Sequence, residues 1–347
     1  MDALNSTGTL SASLSAFSAA DGNALPSKPS FRSKLPLLPG KDHTAAVESA
    51  NQYFASNWPW KSVDEYQRFL THDLTWWGAF AAPDMLYDRM ETAALLCALG
   101  FLLDDAIETC APEQVKRFAN RFEGLVFGTI PPENQMECAV ADIYGRMRAT
   151  DGTFYCKEHY LWLKESMGRG RADSSTLDSL DNYLKHRIND VGVILAMSLT
   201  DWWYNIKVPQ HIKDDSSFKE LILTCGLYGI FVNDLFSYRR EVLEARMSGS
   251  DGILMNSISV VMHEKHLNEN DAIRYVEDRL CSLEASLPDI EAELKKNYTG
   301  EDLEFCERYS KLVQGLYRGN ADWSASCGRY SSRQLSYESL RPDTGII

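Results

Sequence analysis

From about residue 41 onward, apolar positions recur at the three- and four-residue spacing that lines one face of a helix, and strand-like alternation is scarce. Punctuation falls at Pro83, Pro112, Gly128 to Pro132, Asp151-Gly152, Gly168 to Gly170, Pro209, Ser248 to Gly252, Pro288 and Gly300, leaving runs of helix or helix-pair length between them. Met90 to Leu103 and Leu221 to Val232 are apolar on most faces, which predicts helices in the middle of a bundle. Asp271 to Asn297 carries charge along one side and predicts an outer helix. The pattern is that of an all-α, single-domain helical bundle over residues 41–332, without internal repeats. Residues 1–40, rich in Ser and Ala and then in Pro, predict a disordered tail, and 333–347 a C-terminal tail.

Composition narrows the function. At 347 residues and 44% hydrophobic the chain can bury a large core, and its formal charge of -14 excludes bulk attraction to nucleic acid or to anionic lipid. An acidic protein that binds an anionic substrate needs cations between the two. The eight cysteines show neither a Cys-x-x-Cys pair nor the density of a secreted disulfide scaffold, so they read as reduced thiols of a cytoplasmic protein. No apolar run approaches the roughly 18 residues of a membrane span. The N-terminus lacks the basic start and compact apolar core of a secretory signal.

Two polar clusters end the two apolar runs. On a helix, Phe101, Asp104, Asp105 and Glu108 fall on adjoining positions, so three carboxylates share one face. Such a group, at the end of a buried helix, loses hydration and repels itself at a cost of several kcal/mol per ion unless a cation compensates. Hard oxygen donors suit Mg²⁺; the alternative is a helix end turned to solvent and stopped by Thr109 to Pro112, and the motif taken alone is weak evidence for metal. Asn233, Ser237 and Glu241 follow at i, i+4, i+8, stacking three oxygen donors along one face, with Arg240 beside them.

The segment Asn233-Asp234-Leu235-Phe236-Ser237-Tyr238-Arg239-Arg240-Glu241 resembles the second metal motif of class I terpene synthases, (N/D)Dxx(S/T)xx(K/R)(D/E), at every fixed position. Asp104-Asp105-Ala106-Ile107-Glu108 is similar to the family's first, aspartate-rich motif, with Glu at its end. Arg187 stands 46 positions before Asn233, where the family has its diphosphate-sensing arginine, with Asp190 as the linking residue. Arg329-Tyr330 resembles the C-terminal arginine-tyrosine motif. Outside this order, each arginine reads as a surface ion pair and Tyr330 as a core aromatic.

The resemblance implies the class I terpenoid synthase bundle and Mg-dependent ionisation and cyclisation of a prenyl diphosphate. Its single domain points to farnesyl diphosphate and a sesquiterpene product. It implies three Mg²⁺ held by Asp104, Asp105, Glu108, Asn233, Ser237 and Glu241, with Arg187, Arg240, Arg329 and Tyr330 on the diphosphate; at Asn189 to Gly192 it implies either a helix break that turns the Val191 carbonyl toward substrate or, through Gly192, close helix packing. The expected partner is a prenyl diphosphate, with no nucleic acid and no membrane span, and a homodimer is open. Phe80, Phe101 and Trp323 are candidates for the cavity wall, since aromatic faces attract cations by roughly 0.5–2 kcal/mol. The alternatives are a prenyl-chain-elongating diphosphate synthase, which has a second Asp-Asp-x-x-Asp motif where this chain has Asn233 to Glu241, and an inactive helical relative, which would lack a ligand. No Asp-x-Asp-Asp motif of a class II cyclase is present.

Overall fold

A computed structural model of the chain describes residues 25–151, 154–167, 174–190, 193–250 and 252–330. Every regular element among them is helical. The first half contains α1 (Thr44–Asn57), α2 (Val63–Thr71), α3 (Trp77–Ala81), α4 (Met90–Thr109), α5 (Pro112–Phe127), α6 (Gln135–Asp151) and α7 (Phe154–Met167). The second contains α8 (Leu180–Asp190), α9 (Val193–Trp203), α10 (Gln210–Asp214), α11 (Ser216–Ser248), α12 (Ser257–Lys265), α13 (Glu269–Lys296) and α14 (Gly300–Ser326).

The bundle is organised around α11. Asp215 caps its start by accepting from the backbone N–H of Ser217 and Phe218, and Gly249 ends it in the left-handed region at φ 67. Its most extensive contacts are with α13 and α14, and α8, α9, α10 and α12 also pack on it. Leu221, Cys225, Tyr228, Ile230, Phe231 and Val232 are buried, as the all-round apolar run predicts. By length and composition α11 could cross a membrane, but 78% of its apolar window is buried inside the fold, so its hydropathy is that of a core helix. The second apolar run forms α4, packed on α1, α3 and α6. α3 lies against α14 at Gly319, where a Cβ would fall 1.8 Å from the Phe80 carbonyl oxygen; only glycine lets the two backbones approach so closely.

Two expectations fail. Pro288, read as punctuation, does not interrupt the helix but lies inside α13, which runs through it as the charge pattern of Asp271 to Asn297 predicts. Proline in a helix interior costs about 3 kcal/mol. Leu280, Leu287, Ile290 and Leu294 are buried on both sides of it, and each such side chain contributes roughly 1.5–3 kcal/mol, so burial wins. Nor is the tail disordered through residue 40. Phe31, Leu35 and Leu38 are buried, Glu277 accepts from the backbone N–H of Ser30 and Phe31, and Glu284 accepts from Ser33 Oγ and Lys34 N. Arg318 donates to the Leu35 carbonyl and Arg239 to that of Pro26. Three apolar anchors and satisfied backbone donors order a stretch whose composition alone predicts none. Residues 1–24 lie outside the described residues, as does the tail 333–347.

The cysteines are free, with Cys97, Cys156, Cys225, Cys306 and Cys327 buried and Cys110, Cys138 and Cys281 exposed. Asp201 of α9 accepts a 2.8 Å hydrogen bond from the Tyr309 hydroxyl of α14. Burial pushes its carboxyl up to about 7 against the opposing effect of that bond. A folded-state value above the unfolded value of about 3.9 means that only the unfolded chain releases this proton between about pH 4 and 7, so the contribution of Asp201 to stability declines across that window. Asp201→Asn is expected to be increasingly more stable than the parent from pH 4 to 7, by about 2–4 kcal/mol at pH 8. Denaturant midpoints at several pH values check this.

Candidate active site

α4 and α11 each run from a buried apolar segment into polar positions, and the C-terminal end of α14 meets them there. Beyond α14, Cys327 leaves the helix and Gly328–Tyr330 form a short helical turn that packs on α11. The turn is held by Asp73, a non-glycine residue in the left-handed region at φ 58. Its carboxylate accepts from Gly328 N at 3.0 Å, and its carbonyl accepts from Trp323 Nε1 at 2.9 Å. Aspartate tolerates that backbone region better than most residues, and here the strain places both acceptors toward the C-terminal segment.

Arg329, 3% exposed, makes a two-pronged ion pair with Asp105: Nη1 to Oδ2 at 3.0 Å and Nη2 to Oδ1 at 2.7 Å. Burial tends to raise the Asp105 carboxyl, but the hydrogen bonds and charge of Arg329 outweigh it and hold the group below the usual carboxylate range. Asp104 is exposed beside it, and Glu108 belongs to α4 while its side chain lies outside the described residues. Next to Asp105, His72 is lowered to about 4 by burial and by the charges of Arg329 and Arg240, so it is neutral at pH 7.

On α11, Asn233 joins two other elements. Its Oδ1 accepts from Arg187 Nη2 of α8 at 3.3 Å, and its Nδ2 donates to the Tyr330 hydroxyl at 3.2 Å. One turn on, Ser237 Oγ donates to Glu241 Oε1 at 2.5 Å. Asn256, fully buried, donates through Nδ2 to Glu241 Oε2 at 2.9 Å. Arg240 lies 3.7 Å from Glu244 through Nε. Among the described residues, the buried Nε atoms of Arg240 and Arg329 have no hydrogen-bond acceptor. Buried guanidinium donors without acceptors are costly unless an anion meets them.

Phe101 and Trp323 stack at 5.4 Å, Trp323 meets Tyr330 edge-on at 5.7 Å, and the Arg329 guanidinium lies 5.3 Å from the Phe101 ring centre. Two of the three aromatic candidates thus adjoin the arginine-tyrosine turn. Phe80 stands apart, 36% exposed and without a ring contact to that stack. α8 ends at Asp190 and α9 begins at Val193; Val191 lies outside the described residues, as does the side chain of Asp190.

A family model described as terpene synthase family 2, C-terminal metal binding, matches residues 77–285, more than half of the chain. The chain belongs to the class I terpene synthase family. The synthase is 24% identical over 290 residues to aristolochene synthase of Penicillium roqueforti, covering 82% of this chain and 83% of that one. It is 25% identical over 291 residues to aristolochene synthase of Aspergillus terreus, covering 80% and 87%. Its fold superposes on the crystal structure of the Penicillium roqueforti enzyme with a TM-score of 0.70 at 22% identity, covering 87% of this chain and 99% of that one. The synthase is therefore a lyase acting on prenyl diphosphates, with terpene cyclase activity and a metal-binding domain.

The donors fit a hard divalent cation. Asn233, Ser237 and Glu241 offer an amide, a hydroxyl and a carboxylate oxygen on one face of α11. Among the described residues no three carboxylates, histidines or cysteines gather into a metal cluster. Residues outside the two motif ligand sets hold the surrounding helices together. Asp234, fully buried, accepts from the Tyr183 hydroxyl of α8 at 2.7 Å and from Ser257 N at 2.9 Å, tying the helix of Arg187 and the start of α12 to α11. Burial raises its carboxyl to about 6, partly countered by the charge of Arg187. Asp234 could have been found as a fixed motif position. Asp73 and Asn256 carried no such signal.

Proposed function

We propose that the synthase ionises farnesyl diphosphate with Mg²⁺ and cyclises the resulting cation to a sesquiterpene. The observation that carries this reading is the meeting at Asn233 of three sequence-distant elements: α8 through Arg187, α11 itself, and the C-terminal turn through Tyr330. In the proposed reaction the allylic C–O bond breaks heterolytically, the electron pair leaves with diphosphate, and the cyclised cation becomes neutral by losing a proton to give a hydrocarbon or by capturing water and losing a proton to give an alcohol. Asp104, Asp105 and Glu108 on one side and Asn233, Ser237 and Glu241 on the other would hold Mg²⁺, three ions by family resemblance. Bound there, Mg²⁺ supplies positive charge that stabilises the departing diphosphate.

The side chains have separate tasks. Arg187, Arg240, Arg329 and Tyr330 would donate to diphosphate oxygens, with the Nε atoms of Arg240 and Arg329 as donors not committed among the described residues. The Phe101–Trp323 stack offers a π-face to the cation and, with Tyr330 against it, keeps water from that side. The choice of the fifteen-carbon substrate rests on the size of the single domain and on the two aristolochene synthases, which are sesquiterpene cyclases. Incubation of the purified protein with Mg²⁺ and, separately, geranyl, farnesyl and geranylgeranyl diphosphate, followed by gas chromatography with mass detection, tests it. A cyclic fifteen-carbon product from farnesyl diphosphate is expected. Products from another chain length alone would overturn the substrate assignment, and no product from any would overturn the cyclase.

A further inference from the structure

The amide of Asn256 has both its N–H donors engaged and one hydrogen bond to its oxygen. Its Oδ1 accepts from Ile258 N at 3.0 Å, capping α12, while Nδ2 donates to the Asp234 carbonyl at 2.9 Å and to Glu241 Oε2 at 2.9 Å. The backbone donor at Ile258 fixes which end of the amide is oxygen, so the end facing Glu241 is the NH₂. Asn256 is 0% exposed, and its own backbone is fixed by a 2.7 Å bond from its N–H to the Leu254 carbonyl and by its carbonyl accepting from Val260 N. A side chain with no rotational freedom left therefore presents one N–H to one oxygen of the Glu241 carboxylate. Ser237 presents a hydroxyl to the other.

We infer that Asn256 is a positioning residue for metal binding: it sets the rotation of the Glu241 carboxylate beside Ser237 before any ion arrives. The inference rests on the reading of Glu241 as a metal ligand. Without the amide donor the carboxylate could turn about its side-chain bonds, and a hard cation would have to order it on binding. Groups that orient a metal ligand in this way typically account for about tenfold to a hundredfold in metal affinity.

Capping and positioning separate by substitution. Serine and threonine are competent N-caps, so Asn256→Ser and Asn256→Thr keep an acceptor for Ile258 N but have no NH₂ to reach Glu241 and the Asp234 carbonyl together. The probe is MgCl₂ titrated calorimetrically into the full chain in the presence of inorganic pyrophosphate, with circular dichroism to identify folded variants. A folded Ser or Thr variant is expected to need about tenfold to a hundredfold more Mg²⁺, and the same substitution on a Glu241→Gln background is expected to have little further effect. A folded variant with the parent Mg²⁺ midpoint, or one that only melts earlier, overturns the inference and leaves Asn256 a cap. Failure of the parent chain itself to bind Mg²⁺ with pyrophosphate would instead overturn the functional reading on which it rests.

Discussion

Glu241→Ala is expected to reduce product formation from the prenyl diphosphate at least about a thousandfold, which is about 4 kcal/mol of transition-state stabilisation, while leaving the melting temperature nearly unchanged. Glu241 supplies the charged member of the α11 oxygen set, and the neutral oxygens of Asn233 and Ser237 cannot replace its attraction for a divalent ion. The fold should tolerate the change because Glu241 is only partly buried and its two donors have other options. Ser237 Oγ can turn to a backbone carbonyl of its own helix, and Asn256 keeps its bond to the Asp234 carbonyl. Product yield by gas chromatography and thermal unfolding by circular dichroism are the two readouts. Retained turnover would mean that Glu241 is not a ligand. A collapse of the melting temperature alongside activity would mean that the carboxylate is structural.

What could be read from the sequence divides along the range of the interactions involved. The long core helix and its polar end were legible because both are written at helical spacing within one segment: Leu221 to Val232 supplies the apolar faces, and Asn233, Ser237 and Glu241 follow on one stripe of the same helix. The arginine-tyrosine turn was legible only by resemblance, since nothing in Gly328-Arg329-Tyr330 indicates which helix it meets. Asn256 and Asp73 were not legible. Each acts across a loop, where distance along the chain carries no fixed geometry, and their roles follow from hydrogen bonds that exist only once α11, α12 and α14 are assembled. Residues 25–40 failed for a related reason. Their composition is that of a tail, yet the acceptors that order them, Glu277 and Glu284, lie about 250 positions away on α13. Pro288 shows the opposite error, a local breaker overruled by the burial of its neighbours.

The Asp105–Arg329 pair should respond asymmetrically to the removal of either partner, because the two side chains are unequally exposed, 42% for Asp105 and 3% for Arg329. Asp105→Ala strands a guanidinium that cannot reach water. The Phe101 face stays against it, and among the described residues its Nε already has no hydrogen-bond acceptor. Breaking a buried pair in this way costs roughly 3–5 kcal/mol, so Asp105→Ala is expected to lower stability toward that range. Arg329→Leu leaves a carboxylate that solvent can rehydrate, and the leucine still packs against Phe101, so a smaller loss of about 1–2 kcal/mol is expected. Both variants should lose turnover, the first with a motif carboxylate and the second with a diphosphate donor. In denaturant unfolding the double variant should therefore be more stable than Asp105→Ala alone, since it no longer buries an unpaired charge. Equal destabilisation by the two single changes would mean that Arg329 finds another anion in the folded chain. The ordering also bears on the proposed reaction: a guanidinium held dry and charged by Asp105 would lose little more hydration on donating its Nε–H to a leaving diphosphate, which is the condition under which such a donor stabilises developing negative charge best.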